Sequence, residues 1–297
     1  RRKLNEIAEH LRLQLPVPAN LPSEKLVLPC PCFEDCNEEN TNIMDEFVFT
    51  QAHFAKFVED GKMHEHYCTE CGSKKIKPMQ NISTSLSILD LEFIFTCLVP
   101  LTKKKEGFHV LDVGSRFGSV LAAAHLFSDG KARVTGIEMN DDLCKIQNSL
   151  VKSFGLTSVS VINSDVRQQK EILSTANLVL MNNVFCGYIP PDEHVSCWEA
   201  VHSSLQPGTL LIHTDSIDSA TAHIELPFKI NEWLIEVDAR DKMWTFANGN
   251  LRTVNDLMVF HLYMVRDPTN MGNGESGDDT ACKEEEEKPK ALCARFW

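Results

Sequence analysis

The stretch His109-Val-Leu-Asp-Val-Gly-Ser-Arg-Phe-Gly118 decides the fold of this chain. Its apolar start predicts a short buried strand, and its glycines predict a tight turn at the end of that strand. The apolar run Ser119–Phe127 follows at once and predicts a helix, and Arg133–Met139 predicts a second strand that ends beside Glu138. Strand, glycine turn, helix and a second strand with a terminal carboxylate form the unit that holds an adenosine-bearing cofactor.

The same alternation of strands and helices continues through residues 107–266. The further predicted strands are Val159–Asp165, Leu178–Phe185, Thr209–His213, Trp233–Val237 and Leu257–Val265. The last two are close enough in sequence to pair antiparallel, whereas the short connections before them favour parallel neighbours. The sequence therefore predicts an α/β fold with a doubly wound, mostly parallel, seven-stranded sheet.

Length, composition and net charge limit the classes of protein to which this chain can belong. The chain has 297 residues, 43% of them hydrophobic and 24% charged, which is typical of a soluble globular protein with one large domain and a small one. No apolar run is long enough to cross a bilayer, so we expect no membrane partner. The net charge of −13 argues against a protein that coats nucleic acid unaided, although a local basic patch is compatible with it.

Nine of the eleven cysteines fall into two groups. Four lie scattered in apolar segments, as buried thiols do: Cys97, Cys144, Cys186 and Cys197. Five are clustered near the N-terminus and are the candidate ligands of one structural zinc ion: Cys30, Cys32, Cys36, Cys68 and Cys71. His64 and His66 are alternative ligands, while unrelated thiols and a redox C-x-x-C are alternative interpretations of the cluster. Such thiol usage favours a reducing compartment, the cytoplasm or the nucleus.

Three regions follow from these patterns. Residues 1–79 form an N-terminal segment with a zinc-binding module, which begins with a short amphipathic helix and a proline-rich extended connector. Residues 80–266 form the cofactor-binding domain. Residues 267–297 form an acidic tail that cannot bury enough apolar surface to order itself, so we expect it to be disordered.

The turn distinguishes between two classes of cofactor. A dinucleotide site needs G-x-G-x-x-G, in which backbone N–H groups and a helix N-terminus hold a pyrophosphate. This chain has Gly114 and Gly118, with Asp112 inside the turn. A carboxylate there would repel a pyrophosphate but suits a cofactor that carries an amine or sulfonium charge.

Residues 109–265 resemble the class I S-adenosylmethionine-dependent methyltransferases, whose first motif is D-x-G-x-G-x-G. The matching residues here are Asp112-Val-Gly-Ser-Arg-Phe-Gly118. The resemblance implies the following cofactor contacts: Asp112 and Gly114 at the methionine end, Ser115 and Gly118 in the turn, Glu138 on both ribose hydroxyls, Asp165 near the adenine amino group, and Asn182 with Asn183 beside the transferable methyl. One position departs from the motif, because its middle glycine is Arg116. That side chain either crowds the cofactor, which would make the domain a non-catalytic adaptor, or lies outward.

A narrower resemblance is to the non-SET nucleosomal histone-lysine methyltransferases, the "disruptor of telomeric silencing" family. It is carried by Leu178–Phe185, by Leu205–Ile212 and by Trp244-Thr with the strand that follows. It implies transfer of a methyl group to a lysine amine, with Asn182 or Asn183 and Phe185 shaping the acceptor channel. The basic tail and the N-terminal substrate loop of that family are missing.

We therefore expect a methyltransferase that acts on a protein, through a lysine-type amine, or on another macromolecule. A methyltransferase-like pseudoenzyme serving as a zinc-containing adaptor is the alternative. A zinc-dependent nucleic-acid binder is the third possibility, and the net acidity weakens it. The sequence indicates neither the substrate nor the oligomeric state.

Overall fold

A computed structural model describes residues 1–24, 26–31, 33–69 and 76–270 of the chain. Eleven strands lie in the described residues: β1 Thr41–Met44, β2 His66–Cys68, β3 Ile76–Pro78, β4 Gln80–Ser83, β5 His109–Val113, β6 Arg133–Glu138, β7 Val159–Asn163, β8 Leu178–Met181, β9 Leu210–Thr214, β10 Leu234–Val237 and β11 Phe260–Val265. The helices in the same residues are α1 Arg2–Gln14, α2 Gln51–Glu59, α3 Ile88–Phe93, α4 Ser119–Phe127, α5 Asp141–Phe154, α6 Lys170–Ser174, α7 His194–Ser204, α8 Ile217–Thr221, α9 Ile230–Trp233, α10 Arg240–Phe246 and α11 Leu251–Leu257.

The predicted sheet is confirmed. Seven strands pair in the order β10-β11-β9-β8-β5-β6-β7, and β11 alone of these seven runs antiparallel to its neighbours. The chain builds β5, β6 and β7 outward in one direction and then returns to place β8 and β9 on the other side of β5. The switch in direction therefore lies between β5 and β8, which are direct parallel neighbours.

Burial on both faces explains the apolar central strands. Every residue of β5 and β8 is buried, and so is every residue of β6 after Arg133. Helix α4 has the predicted bounds and begins after Gly118, whose φ is +77°. Asn140 caps α5 by accepting hydrogen bonds from the backbone N–H groups of Asp142 and Leu143.

The N-terminal residues and the large sheet share one hydrophobic core. Leu4, Ile7, Ala8 and Leu11 of α1 belong to the same buried cluster as the apolar face of α4. Strands β1 and β4 pair in parallel, from Thr41 opposite Gln80 to Met44 opposite Ser83, so this small sheet crosses the expected boundary at residues 79 and 80. That boundary stays a prediction.

Several predicted bounds were wrong by a few residues. The fourth strand of the predicted series ends at Met181 rather than Phe185, because Asn183 takes a left-handed conformation with φ +48° that an extended strand cannot continue. The last strand begins at Phe260 rather than Leu257, since α11 occupies the residues before it.

Two helix starts also differ from what the sequence alone predicts. The stretch Phe47–Asp60 predicts a helix that starts at Phe47, whereas α2 begins at Gln51. The sequence predicts Ser83, Thr84 or Ser85 as the cap of the next helix, whereas Ser87 caps α3. The reason is a reciprocal pair, in which Ser87 Oγ accepts from the Asp90 backbone N–H and Asp90 Oδ2 accepts from the Ser87 backbone N–H.

In the part of the chain that the structure covers, no helix combines the length and the apolar character needed to traverse a bilayer. Disorder was predicted for residues 267–297. Of these, Pro268–Asn270 form a short 3-10 helix, and residues 271–297 lie outside the described residues.

Candidate cofactor site

A cavity of about 500 Å³ opens where β5, β6, β7 and β8 end. Its walls include Val113, Ile137, Ser164 and Asn182, each at or just beyond the carboxyl end of one of these four strands. Ligands of open α/β sheets bind at this edge, beside the point where the strand order reverses. The volume lies in the range of small-molecule pockets.

The glycine turn forms one wall of the cavity. Gly114 has φ +74° and donates its N–H to the Ile137 carbonyl at 2.8 Å. A Cβ at Gly114 would lie 2.4 Å from Val184 Cγ2, because the loop after β8 packs directly on the turn. The neighbouring Ser115 is buried and donates to Gln147 Oε1 at 2.8 Å, which fixes the turn to α5.

Glu138 ends β6 with its carboxylate at the cavity. Its Oε2 accepts from the Arg116 backbone N–H at 3.0 Å and its Oε1 from the Asn140 backbone N–H at 2.9 Å. Burial raises the pKa of this carboxyl group, and the two backbone hydrogen bonds oppose that rise. Each carboxylate oxygen can accept a further hydrogen bond, so the group is held rigidly and is still able to bind two hydroxyls.

Asp165 lies just after β7 at the same wall. Both of its oxygens are held by Arg167: Oδ1 accepts from the backbone N–H at 2.8 Å, and Oδ2 accepts from Nε at 2.9 Å. The guanidinium hydrogen bonds lower the pKa of Asp165, so this carboxyl group is ionised at neutral pH. Arg167 in turn contacts Glu193 at 2.5 Å, which anchors the carboxylate to the start of α7.

Asp112 lies in β5 and is 4% exposed. Burial, together with the nearby charge of Glu138, raises its pKa well above the ordinary value. It does not belong to the cavity wall as the described residues form it, whereas Val113 and Gly114 beside it do.

The loop after β8 carries the three residues predicted to act at the acceptor. Asn182 and Phe185 line the cavity, and Phe185 packs edge-on against Trp198 with ring centroids 5.5 Å apart. Asn183 turns away from this wall at its left-handed backbone. The structure thus brings two of the three together.

Arg116 lines the cavity, and its side chain reaches into the N-terminal segment. Its Nε donates to Glu24 Oε1 at 2.8 Å, its Nη1 contacts Asp45 Oδ2, and its Nη2 donates to the Ala19 carbonyl at 2.7 Å. These carboxylates hold the pKa of the guanidinium above its ordinary value although burial opposes the charge. The guanidinium has partners outside the turn, but Arg116 is still part of the cavity lining, so its effect on cofactor binding stays a prediction.

Residues 20–24 and 26–27, which we call the roof, lie at the cavity, and Lys25 between them lies outside the described residues. Ser23 and Glu24 belong to the cavity lining. The Ser23 carbonyl accepts from Asn140 Nδ2 at 3.2 Å, and Val27 donates its N–H to the Gly187 carbonyl at 3.0 Å. The sequence showed only a proline-rich connector here, so these residues were missed. A serine and a glutamate directly after Pro22 were the available signal.

Carboxylates outnumber cationic groups in the cavity lining. Five carboxylates line it, against the single guanidinium of Arg116 among the described residues: Glu24, Glu138, Asp141, Asp142 and Asp165. Desolvation raises the pKa of the lining Tyr188 to about 12, so its phenol is neutral at neutral pH. This lining favours a cationic ligand and opposes a pyrophosphate.

The predicted zinc ligands lie apart from this wall. Cys36 is buried, Cys30 is half-buried, and Cys68 is exposed in β2, while Cys32 and Cys71 lie outside the described residues. Within the described ranges, no three His, Cys, Asp or Glu side chains are already assembled for a metal ion. The zinc stays a prediction. Cys30 contacts Cys186, which sequence reasoning placed among the scattered buried thiols.

No protein-family model and no curated protein matches the sequence. Many solved structures resemble the fold. They include an S-adenosylmethionine-dependent methyltransferase from Aquifex aeolicus, 20% identical over 54% of this chain and 83% of that chain, with a TM-score of 0.34. Precorrin-6y C5,15-methyltransferase from Geobacter metallireducens is 14% identical over 44% of this chain, with a TM-score of 0.35. PKMT2 from Rickettsia typhi, solved with S-adenosylhomocysteine, is 13% identical over 42% of this chain, with a TM-score of 0.35.

The chain spans less than two thirds of the last two structures, 64% of the precorrin enzyme and 24% of PKMT2. The strand order and the single antiparallel strand of the large sheet are the features on which the fold class rests. The chain thus has an α/β methyltransferase fold, with an acidic, roofed cavity at the edge where that fold binds its ligand.

Proposed function

We propose that this chain is an S-adenosylmethionine-dependent methyltransferase. The observation that carries the proposal is the acidic cavity at the switch point of the sheet, where a glycine turn meets carboxylates at the ends of two neighbouring strands. A cofactor that carries sulfonium and ammonium charges fits this lining, and a dinucleotide does not. Arg116 favours activity over the adaptor alternative, because its guanidinium is engaged by Glu24 and Asp45.

Each cofactor contact has a residue suited to it. In this proposal the unused lone pairs of Glu138 accept two ribose hydroxyls, and Asp165 accepts the adenine amino group. Gly114 lets the turn approach closely. The bound cofactor supplies an electrophilic methyl group. The chain's own part is to hold it rigidly, to exclude water with the roof, and to orient the acceptor.

The proposed acceptor is a lysine-type amine of a protein or of another macromolecule. A neutral amine attacks a methyl group by in-line displacement and develops little new charge, so positioning and desolvation matter more than a strong base. The Asn182 amide oxygen and the Phe185 ring supply a polar contact and an apolar wall at the cavity. A zinc ion in the N-terminal residues is not needed for this chemistry.

Calorimetric titration of the full chain tests the cofactor. We expect one equivalent of S-adenosylmethionine or S-adenosylhomocysteine to bind, and NAD, which carries a pyrophosphate, not to bind. Glu138→Gln should weaken binding roughly 10- to 100-fold, since hydrogen bonds to a charged group contribute about 1.5–3 kcal/mol. Glu171→Gln, in exposed α6, is the matched control and should leave binding unchanged.

Transfer of a radiolabelled methyl group to nucleosomes, other proteins and RNA then tests the acceptor. Label on protein lysines supports the proposal, and label on RNA alone contradicts the acceptor class. Cofactor binding without transfer to any macromolecule favours the adaptor. Absence of binding to both cofactor forms contradicts the methyltransferase proposal itself.

A further inference from the structure

A buried hydroxyl at the cavity lacks a hydrogen-bond partner among the described residues. Thr84 belongs to the cavity lining, and its Oγ1 is shielded from solvent without a hydrogen bond to compensate. Buried polar atoms on Gln147, Thr214 and Trp233 share this property, but none of these three residues lines the cavity. A hydroxyl that loses water without gaining another partner destabilises the folded chain. A ligand in the cavity could remove that cost at Thr84.

Hydrogen bonds connect the segment of Thr84 to the glycine turn. Thr84 directly follows β4, and its backbone N–H donates to the Met44 carbonyl of β1 at 3.4 Å. The next residue, Ser85, donates from Oγ to Asp45 Oδ2 at 2.5 Å. The same carboxylate oxygen contacts Arg116, which belongs to the turn. Thr84 is therefore held at the cavity by the same network that engages the arginine.

The charges near the turn determine which ligand group the hydroxyl suits. Arg116 is the single cation of the lining among the described residues, and Glu24 and Asp45 already engage its guanidinium. An anionic group of a ligand therefore needs a neutral donor at this place. A threonine hydroxyl can donate one hydrogen bond. The Thr84 hydroxyl is thus suited to an anionic ligand group that approaches the turn.

We propose that the Thr84 hydroxyl donates a hydrogen bond to the α-carboxylate of bound S-adenosylmethionine. This inference rests on the proposed function, in which Glu138 takes the ribose, Asp165 takes the adenine, and the methionine part is assigned to the turn. The methionine part carries the only negative charge of the cofactor. Binding gives the hydroxyl the partner that it lacks in the described chain. A residue outside the large sheet then contacts the cofactor directly.

Thr84→Val tests the contact, because valine keeps the shape of threonine and removes its hydroxyl. In calorimetric titrations of the full chain, we expect this variant to bind S-adenosylmethionine roughly 10- to 100-fold more weakly, since the lost hydrogen bond is to a charged group. Decarboxylated S-adenosylmethionine keeps the sulfonium and the amine but lacks the carboxylate, so the variant and the unsubstituted chain should bind it equally well. Equal losses of affinity for the two ligands overturn the assignment to the carboxylate.

Two further variants are the controls. Thr84→Ser keeps the hydroxyl and should retain most of the affinity for S-adenosylmethionine. Thr214→Val removes another buried hydroxyl without a partner among the described residues, at the end of β9 and outside the cavity lining, and should leave both affinities unchanged. Unchanged S-adenosylmethionine affinity in Thr84→Val overturns this inference and leaves the methyltransferase proposal standing. Absence of binding by the unsubstituted chain overturns both.

Thermal unfolding separates a binding role of the hydroxyl from a structural one. Without ligand, Thr84→Val should melt at the same temperature as the unsubstituted chain or at a higher one, because it removes an unpaired buried hydroxyl. Added S-adenosylmethionine should raise the melting temperature of the variant less than that of the unsubstituted chain, since stabilisation by a ligand grows with its affinity. A lower melting temperature of the ligand-free variant would show that the hydroxyl is a structural group and would overturn the proposal.

Discussion

Arg116 occupies a turn position that favours glycine, since its φ is +45°. A non-glycine residue in this conformation is strained by about 1–2 kcal/mol. The strain is offset by the hydrogen bonds of the guanidinium to Glu24, Asp45 and the Ala19 carbonyl, and by its position 4.2 Å from the Phe117 ring. The arginine thus replaces the flexibility of a glycine with a fixed connection to the N-terminal segment.

Gly114→Ala should damage both the fold and the cofactor site. The new methyl group would lie 2.4 Å from Val184 Cγ2 on a backbone with φ +74°, so we expect a loss of roughly 2–5 kcal/mol in the free energy of unfolding. S-adenosylhomocysteine affinity should fall at least tenfold, because the loop after β8 must shift. Chemical denaturation and calorimetry measure the two effects.

Gly155→Ala is the matched control for that variant. Gly155 has φ +62°, and nothing lies within 4 Å of its added Cβ, so only the backbone strain of about 1–2 kcal/mol is expected there. Its cofactor affinity should equal that of the unsubstituted chain. Equal stability losses in the two variants would contradict the contact with Val184.

Asp112→Asn should change how stability depends on pH. Burial raises the folded-state pKa of Asp112 well above its ordinary value, so the folded chain binds the proton more tightly than the unfolded chain. Ionisation of Asp112 therefore lowers the free energy of unfolding as pH rises through the folded-state pKa. The variant should be more stable than the unsubstituted chain at neutral pH, and the difference should shrink as pH falls toward 4. Thermal unfolding across this range measures it, and a pH-independent difference would refute the assignment.

The roof is the element on which cofactor retention should depend. Glu24→Gln removes the charge that holds it to Arg116, a pair whose side chains are 8% and 9% exposed. Hydrogen bonds to a charged group contribute about 1.5–3 kcal/mol, so we expect S-adenosylhomocysteine to dissociate roughly tenfold faster or more. Stopped-flow displacement measures the rate.

Glu39→Gln, an exposed glutamate of the same N-terminal region, is the control for the roof and should leave the dissociation rate unchanged. Limited proteolysis supplies an independent reading, because cleavage between residues 20 and 27 should accelerate only in the Glu24 variant. Unchanged dissociation and unchanged cleavage together would show that the roof is held by other contacts.

Some helices and strands could be predicted from the sequence much better than others. Helix α4 and strand β5 were predictable because both are nearly all buried, which leaves continuous apolar runs between a glycine and a polar stop. The small sheet of β1 and β4 was not, since Thr41-Asn-Ile-Met44 and Gln80-Asn-Ile-Ser83 are too short and polar to show a strand period. The position of the roof could not be predicted from the sequence for a related reason. Its contacts are with side chains about a hundred positions away.

At the scale of the whole molecule, the shared core predicts one unfolding transition. Leu11 and Leu13 lie on the same helix α1, but Leu11 is 1% exposed and Leu13 is 84% exposed. Leu11→Ala should lower the free energy of unfolding by about 2–5 kcal/mol, and Leu13→Ala should change it by about 0.5 kcal/mol or less. Circular dichroism and cofactor release should report the Leu11 loss at the same midpoint. Separate midpoints would show that the N-terminal residues fold as an independent unit.

The class of sheet followed from local patterns, whereas the closure of the cavity depends on contacts between distant segments. Glycines and strand-end carboxylates lie close to the strands they follow, so Gly114, Glu138 and Asp165 could be placed from the sequence alone. The direction of the Arg116 side chain could not, because it is set by Asp45, a buried carboxylate 71 positions earlier. The partnership of Cys30 with Cys186 was likewise beyond any short-range signal.

The link between Glu24 and Arg116 also sets an order of events on the ribosome. Glu24 is synthesised 92 residues before the arginine that holds it. At a translation rate of about 5–20 residues per second, roughly 5–20 s pass between the synthesis of Glu24 and that of Arg116. During that interval the cavity does not exist, because the central strands of the sheet have not yet been translated. The segment that is translated earlier thus reaches its final position only after the later one has been made.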